Sequence, residues 1–255
     1  MSCLFIDYWS LIIIALGLFL GSFANVLIYR LPKGESILLP GSYCPNCRKS
    51  IRWYDNVPVF SYILLKGKCR DCKTAISLQY PVFELLTALS LVIIWFRFNY
   101  PMYLFIGYAL FVFWLIVISG IDFNHRIIPD ELSMSLIVIG LLFSPFNLNL
   151  GENAGTRVLT SVIGGISGPL LFYIISYAGS KVFKKEALGG GDIKLVAGIG
   201  VFLGWYVLII SVFLGSLIGT IVSLILILLK KKSFGDYLPY GPFLSLGAFL
   251  ALIFL

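Results

Sequence analysis

The chain reads as an all-α, polytopic membrane bundle of about eight spans with a cytoplasmic, cysteine-rich insertion. Three observations predict this class. First, 59% of the 255 residues are hydrophobic and only 12% are charged, about half the charge of a soluble domain. Second, apolar runs near twenty residues recur along the whole length, which is the length a bilayer-crossing helix needs. Third, the runs are continuous rather than alternating. That selects helices over a closed barrel, the other structure that leaves no backbone group open in lipid.

The first expected span covers residues 8–29. The residues before it carry Asp7 and no Lys or Arg, and no small-x-small cleavage pattern follows, so the reading is a permanent helix rather than a signal peptide. Residues 30–80 form the longest polar stretch and hold four of the five cysteines. Within it, Val59 to Leu65 (VFSYILL) is apolar but too short to span. It is expected to form a buried strand or a helix resting on the membrane. The remaining spans are expected at 81–98, 101–121, 131–148, 157–179, 192–204, 206–229 and 238–254. The segment 192–204 is short and glycine-rich, which predicts a broken or partly inserted helix. The chain thus divides into a first transmembrane helix (1–29), a loop domain (30–80) and a membrane-embedded domain (81–255), with no strong internal repeat. Gly164, Gly165, Gly168, Gly215 and Gly219 lie inside spans, where small residues let helices approach closely.

The formal net charge is +7. Its distribution points to membrane orientation, and no nucleic-acid partner is expected. With eight spans, 17 of the 19 basic residues fall on one side, and only Arg97 and Arg157 on the other. The positive-inside rule makes the rich side cytoplasmic. Both termini then face outward, and two aspartate motifs, GIDFNHRIIPD with Asp122 and GGGDIK with Asp192, lie at the cytoplasmic margin.

Cys44-Pro-Asn-Cys47 and Cys69-Arg-Asp-Cys72 are paired CxxC motifs with 21 residues between them, just beyond the usual zinc spacing of about fifteen to twenty. Each pair offers two thiolates to one tetrahedral ion at about 2.3 Å. Nearby Lys and Arg favour thiolates and offset the charge of a four-sulfur site. Disulfides are the alternative, but a cytoplasmic location keeps thiols reduced. A structural zinc held by Cys44, Cys47, Cys69 and Cys72 is therefore expected, organising a loop without a core of its own. Cys3 is left over.

Two carboxylates can hydrolyse a peptide without a covalent intermediate. One takes a proton from water, while the other, protonated, donates to the scissile carbonyl. Like charges held close share a proton, and the pair titrates as a unit. Around Asp192, Gly189, Gly190 and Gly191 allow close backbone approach, and Lys194 follows. Pro129 breaks the chain before the next span, so Asp130 reads as a helix N-cap, with Ser133 in the first turn. By residue type alone, Asp122 and Asp192 fit ordinary polar residues at a membrane edge equally well. His125 reads as solvated. Glu84, one turn into the second span, is a polar site inside the bundle or a side chain reaching the interface.

The chain resembles the type IV prepilin leader peptidase/N-methyltransferase family, grouped with the GxGD membrane aspartic proteases. The resemblance runs through GSFANVLIYRLP (Gly21 to Pro32), CPNC, Ile51 to Cys72, ISLQYPVFELLTA (Ile76 to Ala88), IDFNHRIIPD and GGGDIKL. It implies Asp122 and Asp192 as the catalytic pair, with Gly189, Gly191, Lys194, Pro129 and Asp130 as supporting motif residues. Members often carry a second aspartate two residues after the first. Here that position is Asn124, which leaves Asp122 as the assignment and Asp130 as the weaker alternative. The resemblance further implies a two-step enzyme of the bacterial inner membrane. It cuts the basic leader from type IV prepilins or pseudopilins at the cytoplasmic face, then methylates the new N-terminal amine with S-adenosylmethionine. Residues 30–80 are then methylation-associated, and residues 81–255 the peptidase. No Rossmann-type glycine loop marks a donor site. Glu84 and Gly67 are its candidates. The other readings are a peptidase without methylation and a proton-coupled transporter. The latter usually shows inverted repeats, absent here. Oligomeric state is not encoded in these motifs.

Overall fold

A computed structural model describes residues 8–98, 101–183, 189–233 and 238–254. Cys3, Asp7, Lys184 and Lys185 lie outside the described residues. Among the described residues, eight helices are formed: α1 Tyr8–Arg30, α2 Phe60–Leu64, α3 Gln79–Phe98, α4 Met102–His125, α5 Asp130–Phe143, α6 Ala154–Phe183, α7 Gly190–Leu228 and α8 Gly241–Phe254. Among the described residues there are no strands, only two isolated bridges. The protein is all-helical, and five of its helical segments are long and apolar enough to cross a membrane. It is a multi-pass membrane protein.

The eight expected spans fall on these five segments, with α7 counted twice, and on two shorter helices, α5 and α8. A straight helix of α7's 39 residues would be about 58 Å long, nearly twice a hydrocarbon core of about 30 Å. The chain avoids this at Gly204, where φ is 75° and ψ is 169°. That conformation is essentially confined to glycine. The carbonyls of Val201 and Phe202, just ahead of the break, accept from Ser161 Oγ at 2.8 Å and Asn147 Nδ2 at 2.9 Å. Both side chains are fully buried. Backbone opened inside a membrane needs such internal partners. The expected boundary between spans 192–204 and 206–229 thus falls at the residue that bends.

The chain forms two compact units, residues 1–99 and 100–255. In the first, α1 packs along α3. The helix α3, grouped by sequence with the later spans, belongs here because glycines on α1 meet its backbone. A Cβ on Gly17 would lie 2.5 Å from Ala88 Cα, and one on Gly21 2.5 Å from Glu84 Cα. Asn25 Nδ2 adds a bond to Tyr80 O at 3.1 Å. The segment 59–65 forms the five-residue α2, not a strand, with Phe60, Ile63 and Leu64 exposed.

In the second unit, α6 packs on α7, α7 on α8 and α5, and α4 on α8. Gly164 and Gly200 face one another with no room for a side chain on either. Phe111, Tyr108, Phe143 and Phe202 pack together beside the Gly204 bend, with the Phe111 and Phe202 rings 4.6 Å apart and Tyr108 edge-on to Phe143.

Candidate active site

Asp122 lies in the last turn of α4 and Asp192 in the first turn of α7. Both are buried, at 2% and 6% exposure. The α4 turn ends because Arg126 adopts a left-handed conformation and returns its N–H to Asp122 O at 2.8 Å. The α7 turn begins at Gly189, whose carbonyl accepts from Asp192 N at 3.1 Å. A carboxylate in the first turn also sits in the favourable field of the helix N-terminus.

The surroundings bring the two aspartates into one region. Gly241, first residue of α8, donates its N–H to Asp122 Oδ2 at 2.9 Å. A Cβ on Gly241 would lie 3.3 Å from Ile128 Cδ1, and one on Gly191 would lie 2.9 Å from Ile128 Cβ. Ile128 therefore sits between the start of α7, which carries Asp192, and the start of α8, whose Gly241 holds Asp122. Within the triple glycine, the first and third positions are crowded. A Cβ on Gly189 would lie 3.2 Å from Asp192 Oδ2, whereas Gly190 faces open space.

Asp130 and Lys194 form an ion pair at 2.6 Å. It links the start of α5 to α7, but the Asp130 side chain is 66% exposed. The N-cap of α5 is Pro129, with no side-chain capping bond, and Asp130 is the first helical residue. The expected cap is corrected accordingly: proline's fixed φ and missing N–H suit the helix start, and the Asp130 carboxylate turns to lysine instead. His125 is exposed at the end of α4.

Tyr240 and Gly241 were missed by sequence reading. Tyr240 stacks on Phe172 and bonds Ser216 Oγ at 2.6 Å. Their signal was the Pro-Tyr-Gly-Pro run just ahead of the last apolar segment (residues 239–242), a helix start with glycine and proline at its first positions.

In the first unit, Cys44, Cys47, Cys69 and Cys72 are free thiols whose sulfurs all lie within 4.8 Å of one another. Cys44 Sγ is 3.7 Å from Cys72 Sγ. Four bonds of about 2.3 Å in a tetrahedron place sulfurs about 3.8 Å apart, so the residues fit zinc, which would cross-link the loop. The two knuckles share one geometry. Cys44 O and Cys69 O accept from the N–H of Arg48 and Lys73 at 2.8 and 3.0 Å, and both donor residues have φ near +58°. Each knuckle is closed by one bridge, Tyr43 to Ser50 and Lys68 to Ala75. This local repeat of eight residues is too short and too divergent to stand out in sequence. Arg70 clamps Asp55 through bonds of 2.7 and 2.6 Å. That bidentate hydrogen bonding holds the Asp55 carboxyl below its ordinary range.

Residues 15–98 match the bacterial peptidase A24 N-terminal domain, and residues 109–224 match the type IV leader peptidase family. The chain is 33% identical to a prepilin leader peptidase/N-methyltransferase of Pseudomonas aeruginosa, over 94% of this chain and 88% of that one. It is 34% identical to the protein of that name from Aeromonas salmonicida (96% and 90%). It is 35% identical to a type 4 prepilin-like proteins leader peptide-processing enzyme of Escherichia coli (94% and 91%). The chain belongs to the type IV leader peptidase family. No solved structure matches it. The two matched stretches of this leader peptidase follow its two compact units, with the cysteines in the first and both aspartates in the second.

Proposed function

We propose that the chain cleaves leader peptides from type IV prepilins or pseudopilins at the cytoplasmic face of a bacterial inner membrane, with Asp122 and Asp192 as the catalytic dyad. The observation that carries this reading is the burial of the two carboxylates around Ile128 and Gly241 in an otherwise apolar unit. Intramembrane ionisable residues are costly and mark function. One carboxylate takes a proton from the attacking water, and the other donates to the scissile carbonyl oxygen. The C–N bond then breaks as a proton passes to the leaving amine. The Gly241 N–H at Asp122 Oδ2 orients that carboxylate and leaves its second oxygen to share the proton. The α6–α8 bundle supplies an apolar surface for the substrate's hydrophobic helix. The basic loops of the enzyme would repel the substrate's basic leader, so helix packing is the better basis for recognition.

The second activity in this reading is methylation of the new N-terminal amine with S-adenosylmethionine, assigned to the first unit. The amine lone pair forms the N–CH3 bond as the S–CH3 bond breaks, and the extra amine proton leaves to water. With a pKa of about 7.7–8.0, the amine is already partly neutral. Positioning then suffices without a strong base. Zinc on the four cysteines has a structural role only.

The test is Asp122→Asn and Asp192→Asn, each assayed by mobility shift of a prepilin. Each should reduce cleavage at least about 100-fold. Full cleavage by either folded variant overturns the dyad. Mass spectrometry of the processed N-terminus should show one added methyl group, and its absence with donor present reduces the function to peptidase.

A further inference from the structure

A cavity of about 410 Å³ lies wholly in the first unit, between the helices α1 and α3 and the cysteine loop. Its size falls in the range of small-molecule sites, about 300–1,000 Å³. Three features say what it would hold. Glu84, only 6% exposed, is on its wall. A buried carboxylate favours a cationic guest over a neutral one, and the basic residues on the same lining are engaged elsewhere: Arg30 with the Ser36 and Pro40 carbonyls, Lys49 with Asp71, Arg70 with Asp55 and Arg52 with Tyr54. Asn25 is on the same wall and leaves Oδ1 buried with no partner, while its Nδ2 bonds Gly21 O and Tyr80 O. An unsatisfied buried acceptor is a standing cost that a ligand donor would relieve. Tyr43, Tyr62 and Tyr80 supply aromatic faces, which suit both a flat base and a positive charge.

Glu84 also shapes the wall. Its Oε2 accepts from Val59 N at 2.7 Å. Val59 has φ 62° and ψ −51°, a sparsely populated conformation for a β-branched residue. Strain of this kind persists where surrounding structure holds it and concentrates at ligand sites. Cys44 and Cys69 line the far side, so the same cysteines that fit zinc also form part of the wall. Gly67, the other candidate from sequence, is not part of the lining. At φ 65° it turns the chain against Tyr62, and its carbonyl accepts from Ile76 N.

We propose that this cavity binds the sulfonium methyl donor, with the Glu84 carboxylate holding its cationic end and Asn25 Oδ1 accepting from one of its N–H groups. The inference rests on the methylation reading above and adds the site and its recognition chemistry. A diffusible nucleoside donor needs an enclosed pocket, whereas the acceptor amine arrives on the end of a long apolar helix.

The experiment is equilibrium binding of S-adenosylmethionine and of its neutral thioether product, S-adenosylhomocysteine, to the detergent-purified full chain. Melting temperature serves as the folding control. Wild type should prefer the sulfonium. Glu84→Gln keeps an oxygen for the Val59 N–H but removes the charge. It should weaken sulfonium binding about tenfold or more and bring the ratio of the two affinities close to one. Asn25→Ala should weaken both ligands together. A Glu84→Gln protein that keeps the wild-type preference overturns the site. So does one in which only a peptide bearing the mature pilin N-terminus loses affinity, since the cavity would then belong to the acceptor. Wild type that binds neither nucleoside overturns the methylation reading itself.

Discussion

At the residue scale, the candidate site depends on backbone groups as much as on carboxylates. Asp122 Oδ2 is held by the Gly241 N–H, and a Cβ at Gly241 would lie 2.8 Å from that oxygen. Gly241→Ala must therefore push Asp122 away or shift the start of α8. A displacement of about 1 Å in a catalytic group can cost about 100-fold in rate. The expected outcome is cleavage lowered about 100-fold, with helix content retained by circular dichroism. Cleavage within about twofold of wild type would show that Asp122 needs no such orientation. The same scale accounts for what sequence could and could not resolve. Asp122 and Asp192 stood out as isolated carboxylates beside apolar runs. Gly241 and Tyr240 did not, because their roles come from proximity to other elements: Gly241 meets Asp122 across 119 residues, and Tyr240 meets Phe172 and Ser216 on other helices. Asp130 ends the same motif as Asp122 and stood in sequence as the weaker alternative. Burial separates them, one side chain at 66% exposure and the other residue at 2%.

At the element scale, helix positions were legible because apolar length is a composition signal. The bend in α7 was legible as a short, glycine-rich span. Its partners were not, since Ser161 and Asn147 reach Val201 and Phe202 from other elements. Gly204→Ala tests whether that bend matters. The backbone at φ 75° excludes a side chain, and the added Cβ would meet Thr160 Cγ2 at 3.0 Å and Leu150 Cδ2 at 3.1 Å. A destabilisation of about 1–3 kcal/mol is expected, read as a lowered melting temperature in detergent. In the cysteine loop, the Arg70 bonds stabilise the ionised form of Asp55 and depress its folded pKa. The contribution to stability is thus complete above the unfolded value of about 3.9. It is lost as pH falls through the lower folded value. The melting-temperature advantage of wild type over Asp55→Asn should be present at pH 6 and shrink only below about pH 4. A constant gap across that range would show that the ionised pair is not its source.

At the scale of the whole molecule, the candidate groups divide between the two units. Residues 1–99 contain the four cysteines, Glu84 and the cavity, and residues 100–255 contain both aspartates and the glycines around them. The first unit's loop has little apolar core. Its only bridges lie in the two knuckles, and Trp53, Ile63 and Leu64 are exposed. A structural zinc site in such a loop contributes folding free energy outright, about 10–16 kcal/mol in small zinc domains. The second unit packs through Phe111, Phe202 and the Gly164–Gly200 contact, none of which involves a thiol. Removing the metal should therefore unfold the wall of the cavity and leave the aspartate site standing. Purified protein should contain about one zinc per chain. Dialysis against a strong chelator should abolish methylation and donor binding while prepilin cleavage continues, and added zinc should restore the lost activity. Parallel loss of cleavage and methylation on chelation would mean that the aspartate unit depends on the loop for its fold. Methylation that survives complete loss of zinc would remove the metal from the architecture of the donor site.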